Sequence, residues 1–283
     1  MAVILECKDL RFTYRQVPVL EHISFKVHSG RFCAILGRNG SGKTTLLHCL
    51  NNILTPDSGK VLVHGQDIAD MGQNQIAQKI SLVPQEHLDI FPYRVIDVVV
   101  MGRAPFLRLS QRPGPSDFKT ARQALDFLNA GSLALKSFNQ ISGGERQICL
   151  LARAITQTKH LMLLDEPTNH LDFNNQYHLL SAIKSLCRSK GISIVATLHD
   201  PNMAALFADD LIMVKNNTIM EQGSAGETMT KKNISALYDI PLGIVKINEQ
   251  KKLFFPESIL SDPMNPTKMN PTKTRNEEDK GDH

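Results

Sequence analysis

One stretch constrains this chain more than any other: Gly37-Arg38-Asn39-Gly40-Ser41-Gly42-Lys43-Thr44-Thr45 fits the pattern G-x-x-x-x-G-K-[ST] at every fixed position. The apolar run Phe32-Cys33-Ala34-Ile35-Leu36 precedes it and Leu46-Leu47-His48-Cys49-Leu50 follows, so the order is strand, loop, helix. Glycines let successive backbone N–H groups turn toward one anion, and a helix starting near Lys43 adds its partial positive end at the same spot. The pattern puts Lys43 at the β and γ phosphates of a nucleotide and the Thr44 hydroxyl on Mg²⁺, with Gly37, Asn39, Gly40, Ser41, Gly42 and Thr45 forming the cradle. The alternative is a glycine-rich turn that happens to hold a lysine, and it has no need of the flanking strand and helix.

The loop says only "nucleotide"; composition narrows the rest. A chain of 283 residues, 42% hydrophobic and 21% charged, can bury a core as one large domain or two small ones. Its net charge of +4 gives no electrostatic case for a nucleic-acid partner. Cys7, Cys33, Cys49, Cys149 and Cys187 include no C-x-x-C pair, which fits reduced cytosolic thiols rather than a disulfide frame or a zinc site. Residues 1–8 lack the basic and apolar regions of a signal peptide. No window approaches the roughly twenty apolar residues of a spanning helix, so any membrane role must come through a partner.

Residues 3–27 alternate apolar and polar, which predicts a small antiparallel sheet carrying Tyr14. A further strand at 60–64, a short helix at 73–79 and a strand from Ile80 that stops at Pro84 come after the loop helix. Residues 97–101 and 117–128 read as helices of an insertion in an α/β body, the second with Ser116 as N-cap. The continuous apolar runs 161–164 and 192–197 predict buried parallel strands, with a helix at 175–188 between them that ends near Gly191. A hairpin turning at Asn216-Asn217, helical stretches in 225–238 and a last hairpin of 244–247 with 253–255 complete the body. Met264-Asn265-Pro266-Thr267-Lys268 is repeated as Met269-Asn270-Pro271-Thr272-Lys273, and 259–283 reads as a disordered tail.

Residues 161–164 deliver Asp165-Glu166 to the carboxyl edge of a buried strand, where ligands sit in open α/β sheets. Two adjacent carboxylates there can divide the work, Asp165 holding Mg²⁺ directly or through water and Glu166 polarising the attacking water. A bare turn acid is the plain alternative, and the phosphate loop upstream argues against it. In Ile141-Ser142-Gly143-Gly144-Glu145-Arg146-Gln147, Ser142 with Glu145 forms a capping box. A cap alone does not need Gly143-Gly144, since glycines weaken a first helical turn; they make sense where another molecule approaches closely. Here the residues resemble the L-S-G-G-[QE] signature of the ATP-binding cassette (ABC) family, with Ile141 for the first Leu.

The resemblance covers residues 3–255 and implies an α/β fold with a mostly parallel core sheet, an N-terminal antiparallel subdomain and a helical subdomain at about 86–157, all within 1–258. It implies ATP and Mg²⁺ as ligands. It also carries roles by position: Tyr14 stacking on adenine, Gln85 sensing Mg²⁺ and water beside a docking groove, Asn169-His170-Leu171-Asp172 crossing to a second copy, and His199 bonding the γ phosphate. A lone histidine at a strand end is otherwise structural. In the family, Ser142, Gly143 and Gly144 of one copy close over the ATP held by Lys43 of the other, so a homodimer buries two sites.

One phosphate loop excludes a tandem cassette, and 99 positions from Lys43 to Ser142 leave no room for a long coiled coil. Tyr93-Arg94-Val95-Ile96-Asp97-Val98-Val99-Val100-Met101-Gly102-Arg103-Ala104-Pro105 looks like the ATPases of iron-chelate, haem and cobalamin importers. Membership implies a peripheral ATPase on the cytoplasmic face of the inner membrane, working with a multi-span permease and, indirectly, an extracytoplasmic substrate-binding protein. Molybdate or tungstate importers share the architecture. The other reading is a soluble cassette ATPase acting on nucleic acid or ribosomes.

Overall fold

The computed structural model describes residues 2–85, 92–108, 110–169, 171–247 and 252–259. The alternating N-terminal pattern becomes the hairpin β1 (Val3–Tyr14) and β2 (Val17–His28), paired from Val3↔His28 to Tyr14↔Val17. Its turn residues Arg15 and Gln16 have φ of 46° and 71°, the mirror-image turn that matches strand twist, here without glycine. β3 (Phe32–Leu36) then feeds the phosphate loop and α1 (Lys43–Leu50). β4 (Ser58–Val63) and β5 (Gln66–Asp67) complete a four-stranded antiparallel sheet in the order β2-β1-β4-β5.

After α2 (Gln73–Lys79) comes β6 (Ile80–Val83), which stops before Pro84, a residue with no N–H for the ladder. The helical insertion follows as α3 (Val95–Val100), α4 (Pro115–Phe127) and α5 (Gly143–Gln157). α4 begins one residue before the expected Ser116 cap. Pro115 takes the first helical position, where a missing N–H is harmless, and Asp117 Oδ2 accepts from the Gly114 N–H at 3.0 Å. Ser116 therefore lies inside the first turn.

The remainder alternates: β7 (Leu161–Leu164), α6 (Phe173–Lys190), β8 (Ser193–Leu198), α7 (Pro201–Phe207), β9 (Asp210–Lys215) and β10 (Thr218–Ser224). α6 is capped by Asp172, whose Oδ1 accepts from Asn175 N–H at 2.8 Å, and it ends at Gly191 in the left-handed region, φ 64°. Asn216 and Asn217 turn β9 into β10 with φ of 47° and 67°. The short α8 (Ala225–Thr228), α9 (Lys231–Tyr238) and the antiparallel pair β11 (Leu242–Lys246) and β12 (Lys252–Pro256) close the body. Apart from Ile259, the tail expected at 259–283 lies outside the described residues.

The second sheet has the order β10-β9-β3-β8-β7-β6, parallel throughout except for β10 on β9. Its inner strands β3, β7 and β8 are buried along their whole length because both faces are covered, whereas the edge strand β10 is polar and largely exposed. Phe32, Ala34 and Leu36 of β3 face a core shared with α3 to α7, while Cys33 and Ile35 face a second core shared with α1 and the antiparallel sheet. All five cysteines are buried and free, with none in a disulfide. Among the described residues no helix is long and apolar enough to cross a membrane.

Candidate nucleotide site

The loop between β3 and α1 is held from below. Gly37 is buried where an added Cβ would lie 2.5 Å from Ser41 Oγ and 2.6 Å from the Val214 carbonyl. Gly42 has φ +94°, and its Cβ would meet the Val19 carbonyl at 2.8 Å, so the loop rests directly on β2. Both conditions require glycine. Lys43 Nζ folds back to donate to the carbonyls of Gly37 at 2.9 Å and Arg38 at 3.1 Å. Burial holds the Lys43 ammonium below its ordinary pKa, with Glu166 and Asp165 pulling it back up.

A cleft of about 390 Å³ opens over the loop, lined by Val19, Asn39, Gly40, Gly42, Lys43, Thr44, Thr45, Gln85 and Glu166. Gln85 arrives from the end of β6 and Glu166 from the end of β7, neighbours in the sheet. Glu166 sits at φ 45°, a conformation that costs a non-glycine residue on the order of 1 kcal/mol or more. It is over-determined there. Its N–H donates to Thr197 Oγ1 at 2.7 Å, His199 Nε2 lies 2.6 Å from Oε1, Asn169 Nδ2 donates to Oε2 at 2.5 Å, and Lys43 Nζ is 3.9 Å from Oε1.

Asp165 lies beneath the cleft, 1% exposed, with Oδ1 accepting from the Thr197 hydroxyl at 2.7 Å. It is not among the cleft's lining residues. The Thr197 hydroxyl thus serves both carboxylate residues, a function the sequence reading missed. Its sequence signal is a hydroxyl in the mostly apolar buried run of β8, which Ser193 begins. Asn169, expected to cross to a second copy, is bound to Glu166 of its own chain; His170 lies outside the described residues.

The remaining expected residues sit apart from the cleft. Tyr14 is at the β1 end of the hairpin, 47% exposed, its ring edge-to-face with Phe12 at 4.8 Å. Ser142 and Glu145 close the expected capping box at 2.8 and 3.2 Å. Gly143 has nothing within 4 Å of an added Cβ, and Gly144 faces Asn175, which Asp172 holds by both its backbone and side-chain amide. Ser142, Gly143, Gly144 and Asp172 therefore form a second, outward-facing group.

The donors suit a nucleotide phosphate tail: a buried ammonium hydrogen-bonded to two loop carbonyls and at ion-pair distance from Glu166, a Ser41 hydroxyl buried without a partner, and the start of α1, which has no side-chain cap. A central parallel strand feeding such a loop, with a carboxylate pair two strands away, defines an α/β nucleotide-binding domain of the phosphate-loop class. The sequence model of the family described as ABC transporter matches residues 20–169. The chain belongs to the ABC transporter family and is one of its ATP-binding ATPases. It is 39% identical over 241 residues to a Helicobacter pylori protein named "Probable iron chelatin transport ATP-binding protein", covering 85% of this chain and 94% of that one. The Haemophilus influenzae "Molybdate import ATP-binding protein MolC" is 36% identical over 239 residues, covering 84% of this chain and 89% of its own. A solved structure described as an inward-facing conformation of a metal-chelate type ABC transporter superposes with a TM-score of 0.79 at 33% identity, covering 90% of this chain and 98% of that one.

Proposed function

We propose that this ATPase drives an importer: two copies act together on the cytoplasmic face of a membrane, on a multi-span permease that receives a metal chelate (ferric siderophore, haem or cobalamin) from an extracytoplasmic binding protein. The observation that carries the reading is the Glu166 carboxylate, pinned in a strained backbone conformation at the wall of the cleft that Lys43, Thr44 and Gln85 also line.

In this reading Lys43 and the N–H groups of residues 37–45 bind the β and γ phosphates, and Tyr14 supplies an adenine platform worth about 1–3 kcal/mol. Thr44 and Gln85 would hold Mg²⁺, with Asp165 acting from beneath through water. Such an ion would neutralise charge on the phosphates. Glu166 takes the proton of the attacking water, and His199 orients Glu166 and meets the γ phosphate. Ser142, Gly143 and Gly144 face outward and close the site of the other copy, with Asp172 beside them.

The relatives named for iron chelatin and for metal chelates favour the chelate class. A second reading, molybdate or tungstate import, is favoured by the relative named for molybdate. Glu166→Gln with ATP should stop turnover and accumulate a two-copy species in size-exclusion chromatography; wild-type turnover in that variant would remove Glu166 as the base. Purification from native membranes should bring a multi-span permease and a binding protein whose ligand separates chelate from oxyanion. Salt-sensitive recovery of nucleic acid instead would favour the soluble reading.

A further inference from the structure

Behind His199 lies a segment that the cleft itself does not use: α9, β11 and β12. Three ties run from it to the site. The Tyr238 hydroxyl, at the last residue of α9, donates to the His199 carbonyl at 2.8 Å. Asn202 binds β12 as a strand neighbour would, its Oδ1 accepting from Phe254 N–H at 2.7 Å and its Nδ2 donating to the Phe254 carbonyl at 3.1 Å. Asp239 accepts from Arg38 Nη1 at 2.9 Å, and the Arg38 carbonyl is one of the two that hold Lys43 Nζ. This last pair is exposed, where ion pairs contribute little. The Tyr238 and Asn202 bonds are the partly buried ones.

Its acceptor is also the informative choice. β8 ends at Leu198, and α7 begins at Pro201, so His199 and Asp200 lie between two elements. Pro201 has no N–H to offer. The Asp200 carboxylate accepts from the N–H of Asn202 at 2.7 Å and, being acceptor-only, cannot hold the His199 carbonyl. The Tyr238 hydroxyl is what fixes the peptide plane from which the His199 ring departs. Burial and the neighbouring Asp200 push the Tyr238 phenol up, so its proton stays in place as a donor. The ring nitrogen of a histidine stands far enough from its own backbone that a peptide rotation of about 15° displaces it by about 1 Å, a misplacement that can lower a rate by about 10²-fold.

We propose that Tyr238 is a positioning residue for ATP hydrolysis: through the His199 carbonyl it holds the His199 ring on Glu166, and the segment from α9 to β12 acts as a brace that sets how competent the site is. The inference rests on the reading of Glu166 and His199 as the reacting pair. Loosening the brace lowers the rate of the chemical step without loosening the nucleotide, because Lys43 and the loop are held by other contacts.

The test uses the full chain with Tyr238→Phe, which deletes only the hydroxyl, and Asn202→Ala, which removes both bonds between α7 and Phe254 of β12. Steady-state ATP hydrolysis, equilibrium binding of a fluorescent ATP analogue and the thermal midpoint are measured together. Tyr238→Phe should lower kcat about tenfold while KM and the analogue's Kd move less than about twofold, and Asn202→Ala should act in the same direction. A kcat within about twofold of wild type in both variants would overturn the brace. So would losses of kcat, nucleotide affinity and thermal midpoint in step, the mark of a merely structural hydrogen bond. His199→Ala, assayed alongside, separates the two layers. Turnover surviving that change sinks the reading of the site and the brace with it. Turnover lost in His199→Ala but intact in Tyr238→Phe sinks the brace alone.

Discussion

Thr197→Val keeps the volume and β-branching of a residue in β8 and deletes two hydrogen bonds at once. The hydroxyl donates to Asp165 Oδ1 and accepts from Glu166 N–H, each at 2.7 Å. Thr197, Asp165 and Glu166 are 0, 1 and 8% exposed, so water cannot replace the lost partner. A bond to a carboxylate is worth about 1.5–3 kcal/mol and a stranded buried N–H costs about 1–3, so the variant should unfold at a free energy lower by about 3 kcal/mol. A second effect follows from φ 45° at Glu166. Freed from its pin, that residue can relax toward an ordinary conformation and carry its carboxylate away from Lys43 and His199. A displacement of about 1 Å is enough for a rate loss on the order of 10²-fold. Urea unfolding followed by circular dichroism gives the first quantity and steady-state ATP hydrolysis the second. Thr197→Ser keeps the hydroxyl and should recover most of both. A valine variant that loses less than about 1 kcal/mol and keeps turnover within about twofold would refute the account of how Glu166 is held.

Gly143→Ala should leave the single chain as stable as before or up to about 1 kcal/mol more so, since alanine is the better helix former and its Cβ meets open space. In the Glu166→Gln background it should nevertheless abolish the ATP-dependent two-copy species; a pair that still forms would show that this turn does not face the other copy's nucleotide. Gly102→Ala should destabilise the chain by about 2 kcal/mol or more, because the added Cβ would fall 2.1 Å from Thr156 Oγ1 and 2.2 Å from the Arg153 carbonyl. An unchanged denaturation midpoint would contradict that close approach. Burial pushes the thiols of Cys7, Cys49, Cys149 and Cys187 up to about 12 from an ordinary value of 9.0. The folded chain keeps protons that the unfolded chain releases, so stability is complete below pH 9 and falls as pH rises toward 12, by up to about 1.4 kcal/mol per unit for each thiol. Urea midpoints at pH 8 and 10 read that slope; Cys49→Ala should reduce it by one thiol's share, and a level wild-type curve would refute it.

The parts of this molecule legible in the sequence are those whose physics is local. The loop after β3, the capping box at Ser142 and the left-handed turn at Asn216-Asn217 each depend on a few adjacent residues. The apolar runs of β7 and β8 read correctly as parallel strands because both faces are covered, which leaves no polar alternation to mislead. α4 starts at Pro115 rather than after Ser116 because a proline at the first helical position and Asp117 at the third together outcompete a serine as the start signal. What stayed hidden depends on contacts between distant segments: Thr197 with Asp165 and Glu166, Tyr238 with His199, and Asn202 with Phe254. Nothing in the immediate surroundings of Thr197 or Tyr238 marks them, since a threonine in a strand and a tyrosine ending a helix are ordinary until the chain folds. The bond from the Asn169 amide to Glu166 likewise joins residues whose contact no local pattern announces.

β6 is the outermost strand of the six-stranded sheet, and the helical insertion departs from its end and returns through α5 to β7 beside it. The excursion thus begins and ends on adjacent strands at one border. Lengthening or rebuilding such a detour adds only closure entropy, about 0.6 kcal/mol for each doubling of its length. The insertion can therefore diverge among descendants of one ancestor while the interior strand β3 and its loop stay untouched. Of the residues lining the cleft, Gln85 alone stands on the way out to that border. It is the point at which a lineage that redesigns its insertion must still keep faith with the chemistry inside.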